Sequence, residues 1–115
     1  RYCDLSVGPE WAPNSVVTDA ALIAGAQRAL PAAVACPIGT SATIGGTRDC
    51  DVEAMEGFGV LRAAQRAGIP AIEIRAISNA IDEPDRARWH LAEAFAAITA
   101  ATPRLVAEFS RSREP

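Results

Sequence analysis

Residues 71–77 read AIEIRAI, with Ile72, Ile74 and Ala76 alternating against Glu73, Arg75 and Ile77. That two-residue period in β-branched side chains predicts a buried strand, the best in the chain. Just before it stand Gly68 and Pro70, and before those a stretch with helical character over residues 52–67. Gly68 reads as the residue that closes that helix, and Pro70 prevents its continuation. A helix, a tight break and a strand in direct succession must bury one helix face on a sheet, which restricts the chain to layered α/β architectures.

The flanking sequence repeats the alternation. Residues 20–30 place Leu22, Ile23, Ala26 and Leu30 on one helical side, with Thr18 as N-cap, Asp19 in the first turn and Pro31 as the stop. Residues 33–38 are a short apolar strand candidate, and the Gly- and Thr-rich run GTSATIGGT (39–47) finishes that strand and turns. Residues 78–84 read as loop, 85–101 as a long amphipathic helix carrying Trp89, Leu91, Phe95 and Ile98, interrupted by Pro103 before a short final helix. Residues 1–15, with Gly8, Pro9 and Pro13, read as loop, and 110–115 as a frayed polar tail. The fold class is therefore α/β with a largely parallel sheet. Such sheets set their sites in loops at the carboxyl ends of strands. Two places qualify: GTSATIGGT, and the loop opening with Ser78 and Asn79.

A length of 115 residues suits one domain with one core. No run approaches the ~20 apolar residues of a membrane span, and no basic segment followed by an apolar one opens the chain. A soluble, cytoplasmic protein is the expectation. The first residue is Arg1, so the start of the gene product is expected to lie upstream. A net charge of -3 gives no reason to expect nucleic acid. All 11 basic residues are Arg, which excludes a Lys nucleophile within these residues. Cys3, Cys36 and Cys50 at unrelated spacings, with His90 alone, make no zinc site, so neither metal nor cofactor is expected.

Single residues leave the chemistry open. Glu56 can accept bonds from a sugar diol, or can simply favour a helix start through its charge. Asn79 can pair with a purine edge through one donor and one acceptor, or can form an Asx-turn. Asp82, Glu83 and Asp85 read mainly as turn and N-cap residues, and His90 as a surface or packing residue. The glycines of GTSATIGGT match no phosphate-binding pattern.

Taken together, VEAMEGFGVLRAAQRAGIPAIEIRAISNAID and the later DRARWHLAEAFAAI resemble the C-terminal core of the purine nucleosidases of the nucleoside-phosphorylase superfamily. Among these the futalosine hydrolases are nearest. Methylthioadenosine/S-adenosylhomocysteine nucleosidases and purine nucleoside phosphorylases are similar at greater distance. The resemblance runs from about Gly45 to Ile98. It implies a three-layer fold with a central, mostly parallel sheet, of which residues 1–115 would be the C-terminal part of a single domain about twice as long.

It also implies roles. Met55 packs on the ribose, Glu56 accepts from the ribose hydroxyls, Ser78 orients its loop, and Arg75 braces the strand end or a carboxylate. Asn79 contacts the purine near N7, where adenine-specific enzymes carry an acidic Asp. Thr43 and Ile44 flank the base. An amide in place of an acid favours a 6-oxopurine leaving group, hence hypoxanthine released from futalosine on a route to menaquinone. The carboxylate that activates water would lie in the other half of the domain. A small-molecule nucleoside substrate and a homo-oligomer are implied as well, with no nucleic-acid or membrane partner. The alternatives are an adenosine-type nucleosidase, a phosphorylase, or a truncated domain that only assembles with partners.

Overall fold

The structure, a computed structural model, describes residues 2–3, 15–47 and 50–111. They fall into two units, the first made of the described residues up to 19 with those from 36 to 73, the second of residues 20–35 with 74–111.

The first unit holds a three-stranded parallel sheet in the order β1 (Tyr2–Cys3), β2 (Ile38–Thr40), β3 (Val52–Ala54). In register, Ile38 pairs with Tyr2 on one side and Val52 on the other. Helix α2 (Gly57–Arg66) comes after β3 and packs back on β2. Its inner face carries Leu61, buried with Val16 against the half-buried Ile38, Phe58 and Ala71.

The expected end of α2 is borne out: Gly68 has φ 68°. Its N–H donates to the Gln65 carbonyl at 3.1 Å and that of Ile69 to the Ala64 carbonyl at 2.9 Å. This paired closure needs a left-handed residue at the turn, which glycine adopts without a Cβ clash.

The second unit pairs α1 (Ala20–Ala29) with α3 (Leu91–Arg111). Gly25 makes the approach close, since a Cβ there would lie 3.0 Å from the Phe109 ring. Beside this contact Glu108 is buried. It accepts from Arg28 Nε at 2.8 Å and from Arg111 one turn along. The Arg28 guanidinium, joined by Arg111, holds the Glu108 carboxyl below its ordinary range against the opposing effect of burial.

Several expectations are corrected. Residues 71–77 form no strand among the described residues. Ala71 to Ile74 are half-buried, but Ile77 is 61% exposed. Alternation encodes a surface to be half covered, whereas a ladder needs a neighbour's backbone groups, which local sequence does not supply. The stretch 52–67 is not one helix, because β2 pairs with Val52–Ala54 first and α2 begins at Gly57. The strand expected over 33–38 lies at Ile38–Thr40, beyond Pro37, whose ring nitrogen has no N–H to give a ladder.

The helix expected over 85–101 is a 3-10 turn at Arg86–Arg88 followed by α3, which runs through Pro103 to Arg111. Proline deletes one helical bond, a loss that packing along the rest of α3 outweighs. Within the expected N-terminal loop Tyr2–Cys3 is a strand, while residue 1 and residues 4–14 lie outside the described residues, as do 112–115 of the expected tail.

Candidate active site

In the first unit, β2 and β3 end side by side, Thr40 opposite Ala54. The chain therefore leaves both strands at one edge, the carboxyl edge where α/β sheets collect their ligands. The Ser41 N–H, donating to the Ala54 carbonyl at 2.8 Å, extends the pairing one step further. Thr43 and Ile44 lie exposed in the loop after β2, and Met55 and Glu56 lie exposed directly after β3. The sheet thus brings these four to the same edge.

Glu56 occupies the N-cap position of α2, yet its side chain makes no capping hydrogen bond. Thr40 serves instead, its Oγ1 accepting from the Phe58 N–H at 3.0 Å. The helix start therefore does not consume the Glu56 carboxylate as a cap. A Cβ on Gly57 would run into the Glu73 carboxylate, so a second anion stands at the positive end of α2.

The loop after β2 is held from β3. Glu53 accepts from the N–H groups of Gly45 at 2.7 Å and Thr47 at 2.8 Å. Burial pushes the Glu53 carboxyl up, but the Thr47 hydroxyl and the amides of Gly45, Gly46 and Thr47 outweigh it, and the net shift is downward. Ser41 Oγ, bonded to the Thr43 N–H at 3.2 Å and the Thr43 carbonyl at 2.6 Å, tightens the first turn.

Ser78 and Asn79 belong to the second unit. Ser78 Oγ donates to Asn79 Oδ1, and Asn79 Nδ2 donates to the Ala80 carbonyl at 2.8 Å. An amide carries two hydrogens and two lone pairs, so after these bonds Asn79 retains one donor and one acceptor direction. The loop is closed by the His90 N–H on the Ser78 carbonyl at 2.7 Å and Trp89 Nε1 on the Glu83 carbonyl at 3.1 Å. Asp85 caps the 3-10 turn through the Ala87 N–H at 3.0 Å, in keeping with its reading as an N-cap residue. An open cleft of about 390 Å³ results, lined by Asn79, Ala80, Glu83, Ala87, Arg88, Trp89 and His90. Arg86 lies over the Trp89 ring at 5.3 Å and steadies that wall.

The six expected residues are therefore split, four at the sheet edge of one unit and two in the loop of the other. Thr40, Glu53 and Glu73 were not anticipated. Glu53 was hidden because VEAMEG reads as helix; the strand-favouring Val52 was the one available signal. Among the described residues no group of three or more His, Cys, Asp or Glu could hold a metal ion, and no helix is long and apolar enough to cross a membrane.

No family profile and no solved structure matches the chain. Three curated proteins do, all futalosine hydrolases. The one from Streptomyces coelicolor is 53% identical over 53 residues, 46% of this chain and 23% of that protein. Those from Thermus thermophilus and Acidothermus cellulolyticus are 39% identical over 64 residues and 46% identical over 56. The resemblance drawn from the motifs is borne out. The chain spans about a quarter of the length of the curated relatives it matches, 23% to 28%.

Proposed function

We propose that this chain is the C-terminal part of an N-glycosyl hydrolase that cleaves futalosine and releases hypoxanthine, serving menaquinone biosynthesis in the cytoplasm. The observation that carries this reading is the 53% identity over 53 residues to a futalosine hydrolase. In the whole protein we expect a single nucleoside-phosphorylase-like domain, three-layered around a mostly parallel sheet, assembled as a homo-oligomer.

Breaking an N-glycosidic bond develops positive charge on the sugar and negative charge on the departing base. Met55 and Glu56 serve the sugar: the thioether packs on the ring, and the carboxylate accepts from the hydroxyls. A charged acceptor strengthens those bonds and favours the cationic sugar at the transition state. Asn79 serves the base. Its remaining amide donor meets N7 or O6 of a 6-oxopurine, where the departing charge collects. A neutral donor is sufficient for hypoxanthine because O6 shares that charge. Ser78 fixes the amide through Oδ1, and Thr43 and Ile44 flank the purine. The attacking water needs a general base, a role none of these six residues fills.

The test is to incubate the whole protein with futalosine and with inosine, each with and without phosphate. Hypoxanthine release from futalosine that does not depend on phosphate is the expected result. Release only with phosphate would make it a phosphorylase, and no release from either nucleoside would sink the reading.

A further inference from the structure

Glu53 sits on β3 opposite Gly39 of β2, one residue short of the strand end. Its carboxylate reaches across to the loop after β2, taking the N–H groups of Gly45 and Thr47 on separate oxygens. Two and three residues further along, just past the end of its strand, come Met55 and Glu56. Between the two bonded amides lies Gly46, where a Cβ would collide with the Ser41 hydroxyl and lie 2.7 Å from Thr43 Oγ1. The loop is thus drawn into a tight turn in which Gly46 donates its N–H to the Thr43 carbonyl at 3.1 Å, with Ile44 between them in sequence.

We infer that Glu53 is a positioning residue: it clamps the 41–47 loop to strand β3 and so fixes Thr43 and Ile44 relative to Met55 and Glu56. The inference rests on the nucleosidase reading for what is being positioned, but the clamp itself rests on geometry alone. Convergent backbone N–H groups make a nest for an anion, and here the chain supplies its own. A carboxylate is required because both bonded atoms are donors. Glu53→Gln keeps the shape but turns an NH2 group toward one of them, losing an acceptor and adding a donor facing a donor. An isosteric variant therefore separates clamping from packing.

The experiment uses the whole protein as wild type, Glu53→Gln and Glu53→Ala, with two readouts. Amide hydrogen exchange at Gly45 and Thr47 reports the clamp without any substrate. Exchange should quicken at both amides in both variants, by about tenfold or more, with β2 and β3 unchanged. Steady-state kinetics on futalosine report positioning. KM should rise by about tenfold with kcat changed less than about threefold, since the base-flanking loop loses its place while Glu56 and Asn79 remain. Wild-type exchange in Glu53→Gln overturns the clamp. Quickened exchange with unaltered KM overturns the positioning role. Should wild type cleave no purine nucleoside, the nucleosidase reading and the positioning role fail together, while exchange at Gly45 and Thr47 still decides the clamp.

Discussion

Leu61→Ala should destabilise the first unit by about 2.5 to 3 kcal/mol, the low end of the range for buried leucines. Leu61 is only 4% exposed, so nearly all of its transfer free energy is at stake. Three carbons are removed, at about 0.8 kcal/mol each, giving roughly 2.4 kcal/mol. The cavity term adds little, for a structural reason. The partners Ile38, Phe58 and Ala71 are only half-buried and free to close in. A cleft bordered by Val16, Val17, Gln65 and Ile69 also opens beside Leu61, so its wall can relax. The expected loss lowers the folding equilibrium constant by about a hundredfold. Urea unfolding followed by far-ultraviolet circular dichroism measures it, with Val60→Ala as control. Val60 neighbours Leu61 on α2 but is 65% exposed. It should cost less than about 0.5 kcal/mol. A Leu61→Ala loss under about 1 kcal/mol, or an equal loss at Val60, would refute the view that this leucine seats α2 on the sheet.

Glu56→Gln in the whole protein should lower kcat/KM on futalosine by ~2 to 4 kcal/mol of transition-state stabilisation with unchanged unfolding; near wild-type turnover would reduce Glu56 to a helix-start residue. Asn79→Asp should shift preference toward adenine nucleosides by supplying an acid for N7, read as relative rates on futalosine and methylthioadenosine; wild type cleaving both equally would show that Asn79 does not select the base. Glu53 and Glu108 both titrate below the ordinary 4.5 when folded. A lowered folded pKa means the anion stabilises the fold above the unfolded pKa and that gain disappears on acidification. The urea midpoint should therefore be flat from about pH 7 to 5 and fall below about pH 4.5. A midpoint that rises in that window would contradict the sign.

Local signals survived and non-local ones did not. The helix over 20–30 was legible because Leu22, Ile23, Ala26 and Leu30 share a face and Pro31 ends it; the structure has Ala20–Ala29. Gly68 was legible because its conformation is set by its own turn. The AIEIRAI run was misread because its pattern states how it should be covered and not what pairs with it. Val52–Ala54 was hidden for the converse reason, since only the neighbouring β2 makes it a strand. At the candidate site, Glu56 and Asn79 are assigned from the motifs they stand in. The bonds that orient Asn79 come from Ser78 and Ala80 next to it, whereas Glu53 acts on Gly45 and Thr47 across two strands, a relation no single segment displays.

The closure of α2 bears on how the sequence can vary. Gly68, at φ 68°, is confined to glycine or, at some cost, asparagine. Gly59, on the same helix, has nothing within 4 Å of where a Cβ would stand. Alanine there should add about 0.5 to 1 kcal/mol of helix stability. In a saturation library, position 68 would be swept nearly clean while position 59 filled with alanine and other small residues. A protein engineer would leave the first alone and start stabilising at the second.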